Sequence, residues 1–260
     1  MSAKSLLVAK ESRISALRMV SAAKAAHIGS SLSVIDILSV IYVDVKNEAD
    51  VVIVSKGHAA AGTYAVLGNS GQLPIQLLEQ YGTDGSTLGG HVNHTGNNAV
   101  RLSTGSLGHG LPYGVGIAFA QKRRKFNERT FIVMSDGECD EGTTWESALL
   151  ASQFELNNLI VVIDRNRIQS LAGTEETLKL EPLDEKWRAF NWQVIEVNGH
   201  DHDELSVALN SKVGPLLIIA NTTKGKGVSF MENSVLWHYR PPSEEDLLLA
   251  LSEINGDTNA

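Results

Sequence analysis

The amino-acid sequence predicts an α/β protein built on a doubly wound, mainly parallel sheet with helices on both faces. Its 260 residues, 43% of them hydrophobic and 20% charged, can bury a full core and are too apolar for a disordered chain. Several short apolar runs are β-branched and unalternated, which is typical of parallel strands covered on both faces. Helical stretches separate these runs and indicate βαβ units. No repeat or linker interrupts the pattern, so we expect one domain over residues 1–260 with a C-terminal tail from about residue 239.

The elements follow from the spacing of apolar residues along the chain. The first 26 residues have helical spacing and predict a long amphipathic helix that ends near His27-Ile28-Gly29, since Gly29 suits a helix C-terminus. A second helix is expected at about 33–43. The predicted strands are 51–54, 130–134, 159–163, 194–197 and 216–220, and the predicted helices between them are 107–124, 143–155, 183–191 and 202–209.

Composition and charge exclude several classes of protein. The 22 basic and 30 acidic residues give a net charge of −8, which argues against a nucleic-acid partner. Cys139 is the single cysteine, so the sequence predicts neither a disulfide framework nor a Cys-rich zinc site. No run of about 18 apolar residues and no signal-peptide pattern is evident, so we expect no membrane association and a cytoplasmic location.

Polar residues follow two of the predicted strands directly. Asp136 and Asn166 are 30 residues apart, about one helical crossover, so they can face each other from the ends of neighbouring strands. Carboxylate and carboxamide oxygens suit Mg²⁺ or Ca²⁺, and the Ile168 carbonyl can complete the ligand set. Gly137 allows the backbone to approach phosphates that such a metal also binds. Taken singly, Asp-Gly and Asp-x-Asn are ordinary turn sequences.

The stretch 136–169 resembles the signature of thiamine diphosphate enzymes, which begins with Gly-Asp-Gly and has an Asn about thirty residues later. The resemblance is closest to the transketolase version, with its Glu-Gly and Asn-Leu. Ser135 replaces the first glycine of the signature and leaves the ligand residues intact. The resemblance therefore implies the thiamine diphosphate-binding fold.

Four histidines lie in motifs that resemble those of transketolases in the same chain order. His27 lies in a Lys-Ala-Ala-His-Ile-Gly turn, and His58 ends a Ser-Lys-Gly-His motif. His91 precedes Gly105, the glycine of a Thr-Gly-Ser-Leu-Gly sequence, by fourteen residues, and His238 follows a tryptophan. The similarity spans residues 4–250. For any one histidine considered alone, a satisfied polar residue in a loop is the ordinary interpretation.

The resemblance implies a role for each group of these residues. Imidazoles suit proton transfer near neutral pH, and the cofactor supplies the electron sink for cleaving a ketose beside its carbonyl. The implied catalytic residues are His27, His91 and His238. The implied cofactor-binding residues are His58, Gly105, Ser106, Leu107, Gly137, Asn166 and His238. The implied ligands of Mg²⁺, with Ca²⁺ or Mn²⁺ as possible substitutes, are Asp136, Asn166 and the Ile168 carbonyl.

The resemblance also implies a partner, because transketolases of this kind are more than twice as long and only residues 239–260 follow His238. We expect a transketolase-type transferase whose separate C-terminal subunit supplies the cofactor-activating glutamate, in an α₂β₂ heterotetramer. Its reaction would transfer a two-carbon ketol unit from a ketose, usually phosphorylated, to an aldehyde acceptor. The alternatives are a thiamine diphosphate enzyme subunit of the 2-oxo acid or deoxyxylulose phosphate type, or a non-catalytic regulatory subunit.

Two other sequence patterns match known sites only weakly. His91-x-x-His94 with His109 suggests zinc, but the pattern lacks a helix and cysteine partners. Gly105-x-x-Gly108-x-Gly110 differs from the dinucleotide fingerprint.

Three further patterns have structural interpretations. Residues 224–227, Lys-Gly-Lys-Gly, are expected to form a flexible turn after a strand, with closure over the cofactor as the alternative role. Cys139 is expected to be a small buried thiol. Residues 200–204 are expected to form a solvated helix start with Asp201 or Asp203 near the cap.

Overall fold

The computed structural model describes residues 3–256, which form a five-stranded, fully parallel sheet in the order β1-β2-β3-β5-β4. The strands are β1 (Val51–Val54), β2 (Thr130–Ser135), β3 (Leu159–Arg165), β4 (Gln193–Asn198) and β5 (Leu216–Asn221). All five predicted strands are confirmed, with each end within two residues of its expected position.

Helices cover both faces of the sheet, as predicted. The helices are α1 (Ala3–Ala23), α2 (Ile28–Val40), α3 (Ala60–Asn69), α4 (Gly110–Arg123), α5 (Gly142–Gln153), α6 (Thr174–Thr177), α7 (Leu183–Ala189), α8 (His202–Leu209) and α9 (Glu244–Asn255). Alternate strand residues belong to different cores: Phe131 and Val133 pack with α1–α3 and α8, and Ile132 and Met134 pack with α4, α5 and α7. Strands β2, β3 and β5 are buried on both faces and consist largely of continuous apolar runs, whereas the edge strand β4 also carries the exposed polar residues Gln193 and Glu196.

The predicted boundary between the first two helices was wrong. α1 ends at Ala23, and the turn after it is made by two residues with left-handed backbone, Lys24 (φ 49°) and His27 (φ 71°). Gly29 is therefore no helix stop but the second residue of α2, which begins five residues earlier than expected. A β-carbon on Gly29 would lie 3.3 Å from the Lys224 side chain, so glycine here permits close packing.

Two other helices differ from expectation. α4 begins at Gly110 rather than 107, because Gly108 has a left-handed backbone (φ 78°) that breaks the helix. α3 is absent from the expected elements, since nine of its ten residues are buried and it shows no amphipathic spacing.

One stretch, Ile28–Val45, is long and apolar enough to cross a membrane, contrary to the expectation that no such run exists. It comprises α2 and a following π-helical turn. The stretch is 83% buried among the other elements, which is the condition of a core helix in a folded protein.

Candidate functional site

The carboxyl ends of β1, β2 and β3 meet at one edge of the sheet, where their loops enclose a cavity of about 210 Å³. Ten of the eleven residues predicted for the site line it: His27, His58, His91, Gly105, Leu107, Asp136, Gly137, Asn166, Ile168 and His238. The exception is Ser106, whose hydroxyl lies 3.4 Å from His109 Nδ1 on the exposed side of the same loop. The sequence therefore predicted which residues converge, and their individual roles stay predictions.

The predicted metal ligands lie where the register of β2 and β3 brings their ends together. Asp136 is 2% exposed, and its Oδ2 accepts hydrogen bonds from the Arg167 backbone N–H (2.7 Å) and from Arg165 Nη1 (3.2 Å). Burial raises the pKa of Asp136, and the Arg165 charge opposes that effect. Asn166 is buried, and its Oδ1 accepts the Ile168 N–H at 3.1 Å.

The donor set at this position fits a hard divalent cation. Asp136, Asn166 and the Ile168 carbonyl offer a carboxylate, a carboxamide and a peptide oxygen, and Mg²⁺ takes such oxygens together with those of a diphosphate. Over residues 3–256, no three His, Cys, Asp or Glu side chains gather in a way that could hold a metal ion, so the zinc interpretation of His91, His94 and His109 has no structural support.

A buried ion pair lies close in the chain to the predicted metal ligands, because Asp164 is two residues before Asn166. Lys56 and Asp164 are both fully buried and paired with each other, and Lys56 Nζ also donates to the Ser30 carbonyl at 3.3 Å. Asp164 additionally accepts from the hydroxyls of Ser33 (2.6 Å) and Thr222. These bonds satisfy a charge pair that would be costly to bury alone, and they connect α2 and β3 with the segments that follow β1 and β5.

Glu138 connects the loops that follow β1 and β2 with the loop that precedes α4. Its side chain is 0% exposed; Oε1 accepts from the Gly108 N–H (3.1 Å) and the Ser55 hydroxyl, and Oε2 accepts from the Ser135 N–H (2.9 Å). Burial raises the pKa of Glu138, while these donors lower it. The same loops approach each other closely at Gly57, where a β-carbon would lie 2.3 Å from the Thr104 backbone.

The four predicted histidines form one cluster. The His27 ring centroid lies 4.9 Å from that of His238, 5.4 Å from that of His91 and 5.6 Å from that of His58. Burial, with His91 and Lys224, lowers the pKa of His27 to about 4. Burial, with the charges of Lys224 and Lys56, lowers the pKa of His238 to about 3. Burial, with the charges of Lys56 and Lys224, lowers the pKa of His58 well below its ordinary value. These three rings are therefore neutral at pH 7 and can donate and accept hydrogen bonds.

Lys224 is a site residue whose burial the sequence did not reveal. The turn expected at 224–227 is confirmed, but Lys224 within it is fully buried, and its Nζ donates to the carbonyls of Ile168 (3.1 Å) and Gln169 (3.0 Å) and to His238 Nδ1 (3.0 Å). Burial, with the Lys56 charge, lowers the pKa of Lys224 to about 8. Its position directly after a strand, at the carboxyl edge of the sheet, was the signal that could have found it.

The start of α8 also differs from its expected solvated state. Asp201 caps the helix as predicted, accepting from the N–H groups of Asp203 (2.9 Å) and Glu204 (3.1 Å). However, the His202 side chain is only 3% exposed, and both His200 and His202 contact the carboxylate of Asp36.

The prediction of a buried thiol at Cys139 is confirmed, and burial raises the pKa of that thiol. A buried, protonated thiol is a poor nucleophile.

Comparison with known proteins agrees with this geometry. Residues 4–255 match the family model described as the thiamine diphosphate binding domain of transketolase. The chain belongs to the transketolase family. The resemblance implied by the sequence motifs, with its thiamine diphosphate-binding α/β fold, is thereby confirmed.

Two transketolase relatives match over nearly their full length, and each is named as one subunit of an apulose-4-phosphate transketolase. The chain is 39% identical to the subunit from Actinobacillus succinogenes, covering 89% of this chain and 88% of the relative. It is 36% identical to the subunit of the same name from Phocaeicola vulgatus, covering 96% and 93%.

Among solved structures, a transketolase from Campylobacter jejuni superposes with a TM-score of 0.87 at 28% identity, over 96% of this chain. The match covers 43% of that transketolase, so the chain spans about two fifths of the length of a solved enzyme.

Proposed function

We propose that this chain is the diphosphate-binding, N-terminal subunit of a split transketolase. With a separate C-terminal subunit it transfers a two-carbon ketol unit from a ketose donor to an aldehyde acceptor. The observation that carries the proposal is the convergence, in one cavity, of four histidines with the oxygen donors of Asp136, Asn166 and Ile168. The names of the two apulose-4-phosphate transketolase relatives support a sugar phosphate as one substrate.

Thiamine diphosphate, when bound, supplies a thiazolium that stores the electron pair released when the bond beside the ketose carbonyl breaks. Asp136, Asn166 and the Ile168 carbonyl would hold Mg²⁺ against the diphosphate. Gly105, Ser106, Leu107 and Gly137 would contribute backbone contacts to the cofactor, with His58 and Asn166 beside the diphosphate.

The histidines bind substrate oxygens and move protons. The Lys224 ammonium can only donate, so His238 Nδ1 accepts its hydrogen bond and Nε2 carries the ring proton. His238 therefore presents an N–H donor to a substrate hydroxyl or carbonyl. His27 lies between the other rings, and its backbone N–H donates to the His238 carbonyl at 2.7 Å. The His27 ring can therefore relay a proton among the other rings. His91 would act on oxygens of the aldehyde acceptor.

A second chain completes the enzyme in this proposal. Both of those relatives are named as single subunits of their enzymes, which supports the existence of a partner for this chain. We propose an α₂β₂ assembly in which the partner supplies the glutamate that activates the cofactor.

Reconstitution with the partner tests the activity. The purified pair should form a new ketose from a ketose phosphate and an aldehyde, and the rate should vanish without thiamine diphosphate or Mg²⁺. Absence of ketol transfer that depends on both would contradict the proposal. Turnover of 2-oxo acids instead of ketoses would favour the alternative of a thiamine diphosphate enzyme of the 2-oxo acid type. Failure to bind the cofactor even with the partner present would favour a regulatory role.

The metal assignment has its own test in the Asp136→Ala variant. We expect its affinity for thiamine diphosphate with Mg²⁺, measured by calorimetric titration, to fall at least about a hundredfold, because losing a residue that only orients a metal ligand already costs about 10–100-fold. Asp140→Ala is the matched control. Asp140 lies in the same turn but bonds Gln169 Nε2 (2.7 Å). Equal affinity of the Asp136 variant and the wild type, with circular dichroism showing both folded, would remove the assignment.

A further inference from the structure

Asp36, on α2, is the centre of a buried polar cluster outside the cavity. Its Oδ1 accepts from Arg13 Nη1 (3.2 Å) and contacts His202 Nε2 (3.1 Å), and its Oδ2 accepts from Arg13 Nη2 and contacts His200 Nδ1 (2.6 Å). Burial alone would raise the pKa of Asp36, but Arg13 and the two histidines outweigh it and hold the pKa below its ordinary range. We call these four residues the Asp36 cluster.

The cluster holds the loop that carries Lys224 at two points. The Thr223 backbone N–H donates to His200 Nε2 at 2.8 Å, and Arg13 Nε donates to the Lys226 carbonyl at 3.2 Å. A backbone N–H can only donate, so His200 Nε2 is the acceptor and its Nδ1 carries the hydrogen given to Asp36. One imidazole thus connects the buried carboxylate to the loop.

The two attachment points lie on either side of Lys224. Thr223 precedes it and Lys226 follows two residues later, while the Lys224 side chain reaches Ile168 and His238, which line the cavity. Burying an ammonium costs free energy, so its position has to be enforced by its backbone. Of the two histidines in the cluster, His200 bonds the loop at Thr223 and His202 does not. His202 contacts Asp36 and the Ser5 hydroxyl (2.8 Å), and both of these residues lie outside the loop.

We infer that Asp36, with Arg13 and His200, is a positioning device that fixes Lys224 against residues that line the cavity, with His200 as the connecting residue. The consequence for cofactor affinity rests on the proposed function; the consequence for the position of Lys224 does not. Without the His200 link, the loop keeps its attachment to Arg13 and the hydrogen bond from the Gly225 N–H to the Gly29 carbonyl (3.0 Å), but it loses the bond at Thr223, which directly precedes Lys224.

Chemical labelling of the full chain tests the position of Lys224. We expect an amine acetylating reagent to modify Lys224 about two- to tenfold faster in His200→Ala than in the wild type, the range that corresponds to one lost hydrogen bond. Mass spectrometry measures the rate, with the exposed Lys212 as internal reference. His202→Ala removes a partner of Asp36 without touching the loop, and should leave the Lys224 rate unchanged. In His200→Gln the carboxamide can donate to Asp36 and accept from Thr223, so the slow rate should partly return.

The outcomes separate positioning from general destabilisation. Similar acceleration in His200→Ala and His202→Ala, or acceleration in neither, would overturn the inference, and thermal unfolding of both variants shows whether their loss of stability is matched. Affinity for thiamine diphosphate with Mg²⁺ should fall about two- to tenfold in His200→Ala only. A wild type that binds no cofactor would contradict the proposed function, while the labelling comparison still decides the role of the cluster.

Discussion

Replacing Glu138 by alanine should destabilise the protein substantially. The change leaves two buried backbone N–H groups, those of Gly108 and Ser135, without their acceptors. Each unsatisfied group costs about 1–3 kcal/mol, so the loss is about 2–6 kcal/mol. Burial also raises the pKa of Glu138, which means that the native carboxylate itself bears a desolvation cost. The alanine variant no longer bears that desolvation cost, so the expected loss in the free energy of unfolding lies in the lower part of the range, about 2–4 kcal/mol. The whole free energy of unfolding of a domain is about 5–15 kcal/mol.

Urea unfolding followed by circular dichroism at pH 7 measures this loss. Glu138→Gln should lie between wild type and alanine, because a carboxamide offers one acceptor oxygen to donors that approach both ends of the carboxylate. Glu146→Ala, on the exposed face of α5, is the matched control and should change the free energy of unfolding by less than about 0.5 kcal/mol. The reasoning would be refuted if the free energies of unfolding of Glu138→Ala and of this control differed by less than about 1 kcal/mol. The cost of leaving the two buried N–H groups without acceptors should alone exceed that difference.

Two other predictions concern close backbone approach and histidine burial. Gly57→Ala should lower the thermal unfolding midpoint, because the new β-carbon would lie 2.3 Å from the Thr104 backbone. Gly116→Ala is the control on α4, where a β-carbon has open space, and it should raise the midpoint because alanine favours a helix. Equal shifts of the two midpoints would contradict the packing argument. In the folded protein the pKa of His27 is about 4 and that of His238 is about 3, against an ordinary value of 6.5. The unfolded chain therefore binds more protons than the folded protein below about pH 6.5, and the free energy of unfolding should fall as the pH falls from about 6.5 towards 4. Single His→Gln variants should flatten that part of the curve of unfolding free energy against pH, and an unchanged slope would argue against burial of neutral rings.

The sheet could be predicted because its signal is local. A strand buried on both faces has a continuous apolar run, and the residues that follow such strands converge at one edge whatever the details of packing. Asp136 and Asn166 were found in this way. α3 was missed for the opposite reason: a helix that is buried on all sides has no polar face and therefore no amphipathic spacing.

Lys224 and His202 were misjudged because their partners are distant in the chain. Lys224 bonds Ile168, 56 residues away, and His202 bonds Asp36, 166 residues away. Their neighbours, Lys-Gly-Lys-Gly and His-Asp-His-Asp, have the composition of exposed turns and caps. Burial of such a residue depends on a partner that local composition does not specify.

The three buried cations at the carboxyl edge of the sheet differ in how their charges are balanced. Lys56 is paired with Asp164, and Arg165 with Asp136. Lys224 donates to two carbonyls and a histidine, and among residues 3–256 it has no carboxylate within ion-pair distance. Burial and the Lys56 charge lower the pKa of Lys224, and the more distant carboxylates of Asp136 and Asp164 offset this only in part, so the buried cation is under-compensated. A diphosphate in the cavity would supply the missing negative charge, so the unfavourable burial of Lys224 without cofactor becomes a favourable contribution to cofactor binding.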